Sequence, residues 1–320
     1  MRKALVVGIN DYGEENKLSG CVNDAEEISR LLSCNEDGSK NFDVKLSNSC
    51  SATNLTELVK NCFGGTEDVA LFYFSGHGFS SEKGSFLVVN EPCERDSLFS
   101  MDELSDIINK SKVRNKVLIL DCCFSASIGE FNLGEFHTAL ISRGVSILTA
   151  CREDETALEI DGHGLFTSLL SDALSGGAAN LLGQITIGSI YSYIDQALST
   201  WDQRPIFKTN TQEFISLRQV APRISIKDLK EACGLFVDDE FRLDPSFEFT
   251  NTKETDIVPI EPYATELNIE KFKKLQKLEG LDLVEPVGEE HMYFAAMNSK
   301  SCRLTRLGKY YKYLIDNKRI

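Results

Sequence analysis

The chain has 320 residues, 42% of them hydrophobic, and carries 49 Asp and Glu against 34 Lys and Arg for a formal net charge of −15. This length and apolar content allow a sizeable core and leave room for a second domain, and the acidic balance argues against a chain built to neutralise phosphates. Ten cysteines at irregular spacings, with no CxxC pair and no His/Cys cluster at ligand spacing, argue against both a secreted disulfide framework and a zinc site.

In chain order, continuous apolar runs predict strands near residues 3–8, 69–75, 116–121 and 144–150. Between and after them, apolar residues at helical spacing predict helices over Asn23–Leu32, Asp102–Ile108, Gly164–Leu174 and Gly188–Leu198, and Arg204–Lys208 reads as a last strand. The alternation implies an α/β fold, a mostly parallel sheet flanked by helices on both faces. Beyond about residue 220 the pattern changes. Residues 224–235 read as a helix, and 236–266 as an acidic, Pro-containing connector. Residues 268–281 then read as a helix, Val284–Phe294 alternates like a hairpin, and Leu304–Leu314 reads as a last helix. The expected domains are 1–220, a helix and connector at 221–265, and a small α+β domain at 266–320. No stretch approaches a membrane span, and the apolar run after Met1-Arg-Lys is too short for a secretion signal, so a cytoplasmic setting is expected.

Two of the strands end in reactive residues. Val69-Ala-Leu-Phe-Tyr-Phe-Ser-Gly-His77-Gly78 closes on an imidazole, and Lys116-Val-Leu-Ile-Leu-Asp121-Cys122-Cys123 closes on adjacent thiols. Carboxyl ends of strands in open α/β sheets are where such folds place their sites, so the two can meet. An imidazole beside a thiol is the usual means of making a thiolate. His77 also reads as a structural histidine, but glycines on both sides favour a place where close approach is needed. Alternation along an extended segment puts Asp121 and Cys123 on one side and Cys122 on the other, where a small buried thiol packs well.

These segments, together with Lys3-Ala-Leu-Val-Val-Gly8-Ile-Asn10-Asp-Tyr12 and Leu18-Ser-Gly20-Cys21-Val22-Asn23-Asp24, resemble the caspase-like cysteine peptidases (peptidase C14). The resemblance covers about residues 1–215 and is to the metacaspase and bacterial caspase-like branch; the Gln-Ala-Cys-Arg-Gly signature of animal caspases is absent, so their Asp specificity is not implied. It implies a caspase-hemoglobinase-like fold and a cysteine endopeptidase with Cys123 as nucleophile and His77 as general base, passing through a thioester. Backbone N–H groups at Gly78 and Cys123 are implied as the oxyanion hole. It further implies an acidic pocket for the residue before the scissile bond, built from Asp24 and Asp121 and lined by Cys21 and Ser75. No Arg or Lys occurs in Ser19–Ala25 or Ser75–Phe79, so cleavage after Arg or Lys is expected rather than after Asp. Asn23-Asp24 reads equally as a helix N-cap. A role in bacterial stress, cell-death or phage-defence circuits is implied by the resemblance alone.

No cofactor is expected. Calcium is disfavoured because Phe79–Pro92 holds only Glu82 and Glu91, and Asp96, Asp102 and Glu130 contribute only if loops converge. The connection from Phe124 to Val145 is short, so maturation by cutting there is not required; Arg143, its sole basic residue, is the natural site if such a cut occurs. Three further histidines, His137, His163 and His291, are weaker candidates. Helix, hairpin and a Leu304-Thr-Arg-Leu-Gly308 helix resemble the second half of a winged helix. From 262 to 320 there are 11 Lys and Arg against 8 Asp and Glu, a slight footprint for nucleic acid. The expected partners are therefore a protein substrate and an activating protein at the C-terminal domain, with neither nucleic acid nor membrane. The alternatives are a catalytically silent interaction scaffold and a winged-helix nucleic-acid-binding regulator.

Overall fold

A computed structural model describes residues 1–89, 96–125, 142–150, 159–160, 163–198, 205–211, 214–253 and 260–320, and the side chains of residues 123–125, 159, 160 and 163 lie outside that description. The residues divide into two compact units, Met1–Pro222 and Arg223–Ile320.

In the first unit the expected strands become β1 (Arg2–Gly8), β3 (Val69–Ser81), β6 (Asn115–Ser125) and β7 (Val145–Thr149). Shorter segments add β2 (Asp43–Ser47), β4 (Gly84–Val88), β5 (Leu98–Ser100) and β11 (Ile206–Asn210). The main path of the sheet runs β11-β7-β6-β3-β1-β2, with β4 beside β3 and β5 beside β4. The core pairs β2/β1, β1/β3, β3/β6 and β6/β7 are parallel, and β11 closes the edge antiparallel to β7.

Alternation decides which side chains each face receives. Leu5, Val7, Phe72, Phe74, Leu118 and Leu120 face a cluster completed by α2 (Ala52–Phe63) and α3 (Met101–Lys110). Ala4, Val6, Leu71, Tyr73, Val117 and Ile119 face the opposite cluster. That side is completed by α1 (Cys21–Ser33), α4 (Leu165–Asp172) and α5 (Ile187–Ala197). Covering on both faces is why these strands read as unbroken apolar runs. Two small antiparallel pairs accompany this sheet. One is β8 (Glu159–Ile160) with β9 (His163–Gly164), the other β10 (Gln184–Thr186) with β12 (Ser216–Gln219).

The second unit contains α6 (Ile226–Cys233), β13 (Glu240–Arg242), α7 (Glu266–Glu279), β14 (Val284–Val287), α8 (Met292–Met297), β15 (Ser301–Leu304) and α9 (Arg306–Asp316). Its sheet is antiparallel in the order β13-β15-β14. Two expectations change here. The stretch read as a connector supplies β13 and an edge-to-face aromatic chain, Phe236, Phe241 and Phe247, that ends against Phe272 of α7. The hairpin's returning arm is Ser301–Leu304, whereas Met292–Met297 is helical, because Met292, Ala295 and Ala296 at helical spacing bury one face. No described helix is long and apolar enough to cross a membrane.

Candidate active site

Strands β3 and β6 outrun their neighbours. β1 ends where Gly8 lies opposite Ser75, and β7 ends where Thr149 lies opposite Leu120. Beyond those points β3 and β6 pair with each other through Gly76 and Cys122, His77 and Cys123, and Gly78 and Phe124. His77 and Cys123 therefore do not close their strands, as the apolar runs suggested, but lie side by side on a two-stranded extension. Polar and Gly residues end the hydrophobic signal, not the ladder, because β3 gains a second partner when Gly78 to Ser81 pair with β4. The backbones of His77 and Cys123 are adjacent; the side chain of Cys123 lies outside the described residues. Cys122 is buried in the cluster that holds Leu118, Leu120 and Tyr12, on the opposite side from Asp121.

His77 is held from two directions by the loop after β1. Its backbone N–H donates to the Tyr12 hydroxyl at 3.1 Å, and the two rings lie with centroids 4.6 Å apart. Tyr12 is buried, and that burial raises its hydroxyl pKa, so it stays protonated. Gly76 is what admits it: a Cβ there would sit 2.2 Å from the Tyr12 hydroxyl oxygen. The imidazole Nε2 lies 2.8 Å from the Asn16 carbonyl oxygen. A carbonyl only accepts, so Nε2 carries the proton in this contact and Nδ1 is the nitrogen able to take one. The loop is pinned by Asn10, whose Oδ1 accepts from the Val22 N–H and whose Nδ2 donates to the Ser19 carbonyl.

The sequence reading missed Tyr12 and Asn16 as parts of the site. Tyr12 stood inside a quoted motif with no task assigned, and Asn16 acts through its backbone, which side-chain identity does not report.

On the α1/α4 face, three of the expected pocket residues converge. Gly8 lets the start of α1 press against β1, since a Cβ there would meet the Cys21 carbonyl oxygen at 2.1 Å and the Ala25 Cβ at 2.5 Å. The helix begins at Cys21 with Gly20 as its cap, so Asp24 lies in the first turn and is not the N-cap that Asn23-Asp24 suggested. Its carboxylate is buried and accepts from the Ser75 hydroxyl at 3.3 Å. Ser75 is the register partner of Asp121, also buried. Asp121 Oδ2 accepts from the Thr167 hydroxyl of α4 at 2.6 Å, and Thr167 Oγ1 lies 2.6 Å from the Tyr73 hydroxyl. Burial pushes the Tyr73 hydroxyl pKa well up, and the charges of Asp121 and Asp24 push the same way. The half-buried Cys21 heads the same helix, one turn before Asp24.

Other expectations fall elsewhere. Glu130 and His137 lie outside the described residues, as do residues 151–158 and Arg204. The backbone of His163 pairs with Ile160, and His291 precedes α8 in the second unit with its ring against Phe294. Among the described residues no group of three or more His, Cys, Asp or Glu is placed to hold a metal.

The caspase domain of peptidase C14 matches residues 1–215. Metacaspase-2 of Trypanosoma brucei brucei is 26% identical over 216 residues, covering 55% of this chain and 61% of that protein. Metacaspase-5 of Trypanosoma cruzi is 27% identical over 237 residues, covering 62% of this chain and 53% of that protein. The chain thus spans between about half and three-fifths of these relatives. Caspase-1 from Spodoptera frugiperda shares the fold with a TM-score of 0.50 at 12% identity, over 68% of this chain and 90% of that one.

Proposed function

Because the chain belongs to the caspase-domain family of peptidase C14, we propose that it is a cysteine endopeptidase that cuts proteins after Arg or Lys. The observation that carries the basic preference is the buried meeting of Asp24, Ser75 and Asp121 two residues from the proposed nucleophile. Two carboxylates taken out of water raise each other's energy unless a cation joins them. A substrate guanidinium or ammonium supplies that cation.

In this reading Nδ1 of His77 takes the Cys123 thiol proton as the sulfur attacks the scissile carbonyl carbon. The oxyanion is held by the N–H groups of Gly78 and Cys123. Collapse expels the amine, which receives the proton from His77, and leaves a thioester that water hydrolyses. Tyr12 and the Asn16 carbonyl hold the base in place throughout. Tyr12→Phe removes the acceptor of the His77 N–H while keeping the ring. Leaving such a donor unmatched costs about 1–3 kcal/mol. If that cost falls on the positioned base, the expected result in steady-state kinetics is a fall in kcat of roughly 5- to 150-fold with KM little changed.

No metal step is included. Asp96, one of the candidate calcium ligands, is committed to the start of α2, where its carboxylate accepts from the Thr53 N–H. The testing experiment is a panel of peptide reporters ending in Arg, Lys or Asp, each with calcium and with chelator. Turnover of the Arg and Lys reporters, unchanged by chelation, is expected. Cleavage after Asp alone would overturn the pocket, and activity only with added calcium would overturn the metal-free step.

Self-cleavage at Arg143 is not part of the proposal. The Gly144 N–H donates to the Asn210 carbonyl and its own carbonyl accepts from the Lys116 N–H, so the bond after Arg143 is tied to strands on both sides. For the second unit we favour a winged-helix-like module for protein recruitment, supported by its strand order. Nucleic-acid binding is disfavoured because Lys274 and Lys277 of α7 are paired with Glu231 and Asp228 of α6. A bacterial stress or defence setting completes the proposal on resemblance alone.

A further inference from the structure

The segment Gly164-Leu-Phe-Thr167 has no assigned task, yet Thr167 touches the acidic pocket directly. It is fully buried, its hydroxyl bonded to Asp121 Oδ2 and its oxygen to the Tyr73 hydroxyl, each at 2.6 Å. The directions follow from counting protons. An ionised carboxylate accepts only, so the single Thr167 proton points to Asp121, and the proton of the second bond must come from Tyr73.

We propose that Thr167 is a specificity-positioning residue: it relays a one-way hydrogen-bond chain, Tyr73 to Thr167 to Asp121, that fixes one carboxylate of the pocket in the orientation a substrate guanidinium meets. The proposal rests on the reading of Asp24 and Asp121 as the pocket for a basic residue.

A carboxylate held by a buried hydroxyl keeps one oxygen engaged and presents the other in a constant direction, which a planar fork requires more than a rotating ammonium does. Each link in such a chain polarises the next, and both links are short. The chain also joins β3 and β6 to α4, so the geometry of the pocket depends on how α4 packs on the sheet.

The full chain and its Thr167→Val, Thr167→Ser and Tyr73→Phe variants are compared on Arg and Lys reporters, with thermal melting alongside. Thr167→Val keeps the shape and removes both bonds. It is expected to raise KM for the Arg reporter about tenfold with kcat within about threefold, and to raise KM for the Lys reporter less. Thr167→Ser restores the chain and is expected to stay within about twofold of wild type, with Tyr73→Phe between the two. Equal impairment by Ser and Val, or an unchanged KM in Thr167→Val, would overturn the relay. Should Thr167→Val fail to fold, Tyr73→Phe decides, and an unchanged KM in that variant overturns the relay as well. A wild type that turns over neither basic reporter overturns the pocket reading itself, and this inference with it, before any variant is measured.

Discussion

Cys123→Ala is expected to abolish peptidase activity, lowering kcat on a basic reporter by roughly 10⁴-fold or more, whereas Cys122→Ala keeps it within a few-fold. The contrast between adjacent cysteines follows from strand geometry. Asp121 bonds to Thr167 on the α1/α4 face, while Cys122 is buried in the α2/α3 cluster with Tyr12 and Leu120. A thiol shut in that cluster has no route to a substrate, and replacing it by alanine costs only the packing of one sulfur, on the order of 1 kcal/mol of stability. The next residue along the strand lies beside His77 in the ladder. His77→Ala is expected to be as damaging as Cys123→Ala, and the double variant little worse than either, because the proposed nucleophile and base would act as a unit. Kinetics and thermal melting of the single variants check this. Activity in Cys123→Ala combined with its loss in a folded Cys122→Ala would reverse the assignment.

Asp121→Asn is expected to cut kcat/KM for Arg and Lys reporters by about 10²-fold or more without lowering the melting temperature. The amide keeps the size of the side chain, and its oxygen still accepts from Thr167, so what is lost is charge. In the proposed pocket that charge would be the binding partner of the substrate cation, in a site removed from water, where a missing ionic partner is most costly. In the empty enzyme the sign reverses. With Asp24 and Asp121 both buried around Ser75, neutralising one relieves repulsion, so stability holds or rises while activity falls. A general folding defect would move both downward. Retention of Arg cleavage by Asp121→Asn would mean that the basic side chain is recognised elsewhere.

Periodicity and residue chemistry along the chain were enough to identify the buried parallel strands, the helices α1, α3, α4 and α5, the His77 and Cys123 segments, and the division of Asp121 from Cys122. Each of these depends on neighbours within a few positions, because two-sided burial demands an unbroken apolar run and an extended backbone alternates its side chains. The pattern Leu55, Val59, Cys62 and Phe63 in α2 carries the same kind of signal, as does the helical spacing of Met292, Ala295 and Ala296 in α8.

What local pattern leaves open is contact across distance. The Thr167 bond to Asp121 spans 46 positions, the His77 bond to Tyr12 spans 65 and the Tyr73 contact with Thr167 spans 94. The Asn16 carbonyl leaves no side-chain trace, and the extension of β3 and β6 past their neighbours is a pairing between distant segments, joined on its β3 side by β4 from Gly78 onward. The residues of the proposed thiol–imidazole pair, with carboxylates nearby, are thus written in the chain. Their arrangement is not, since the hydrogen bonds that orient His77 and Asp121 join segments brought together only when the helices pack on the sheet.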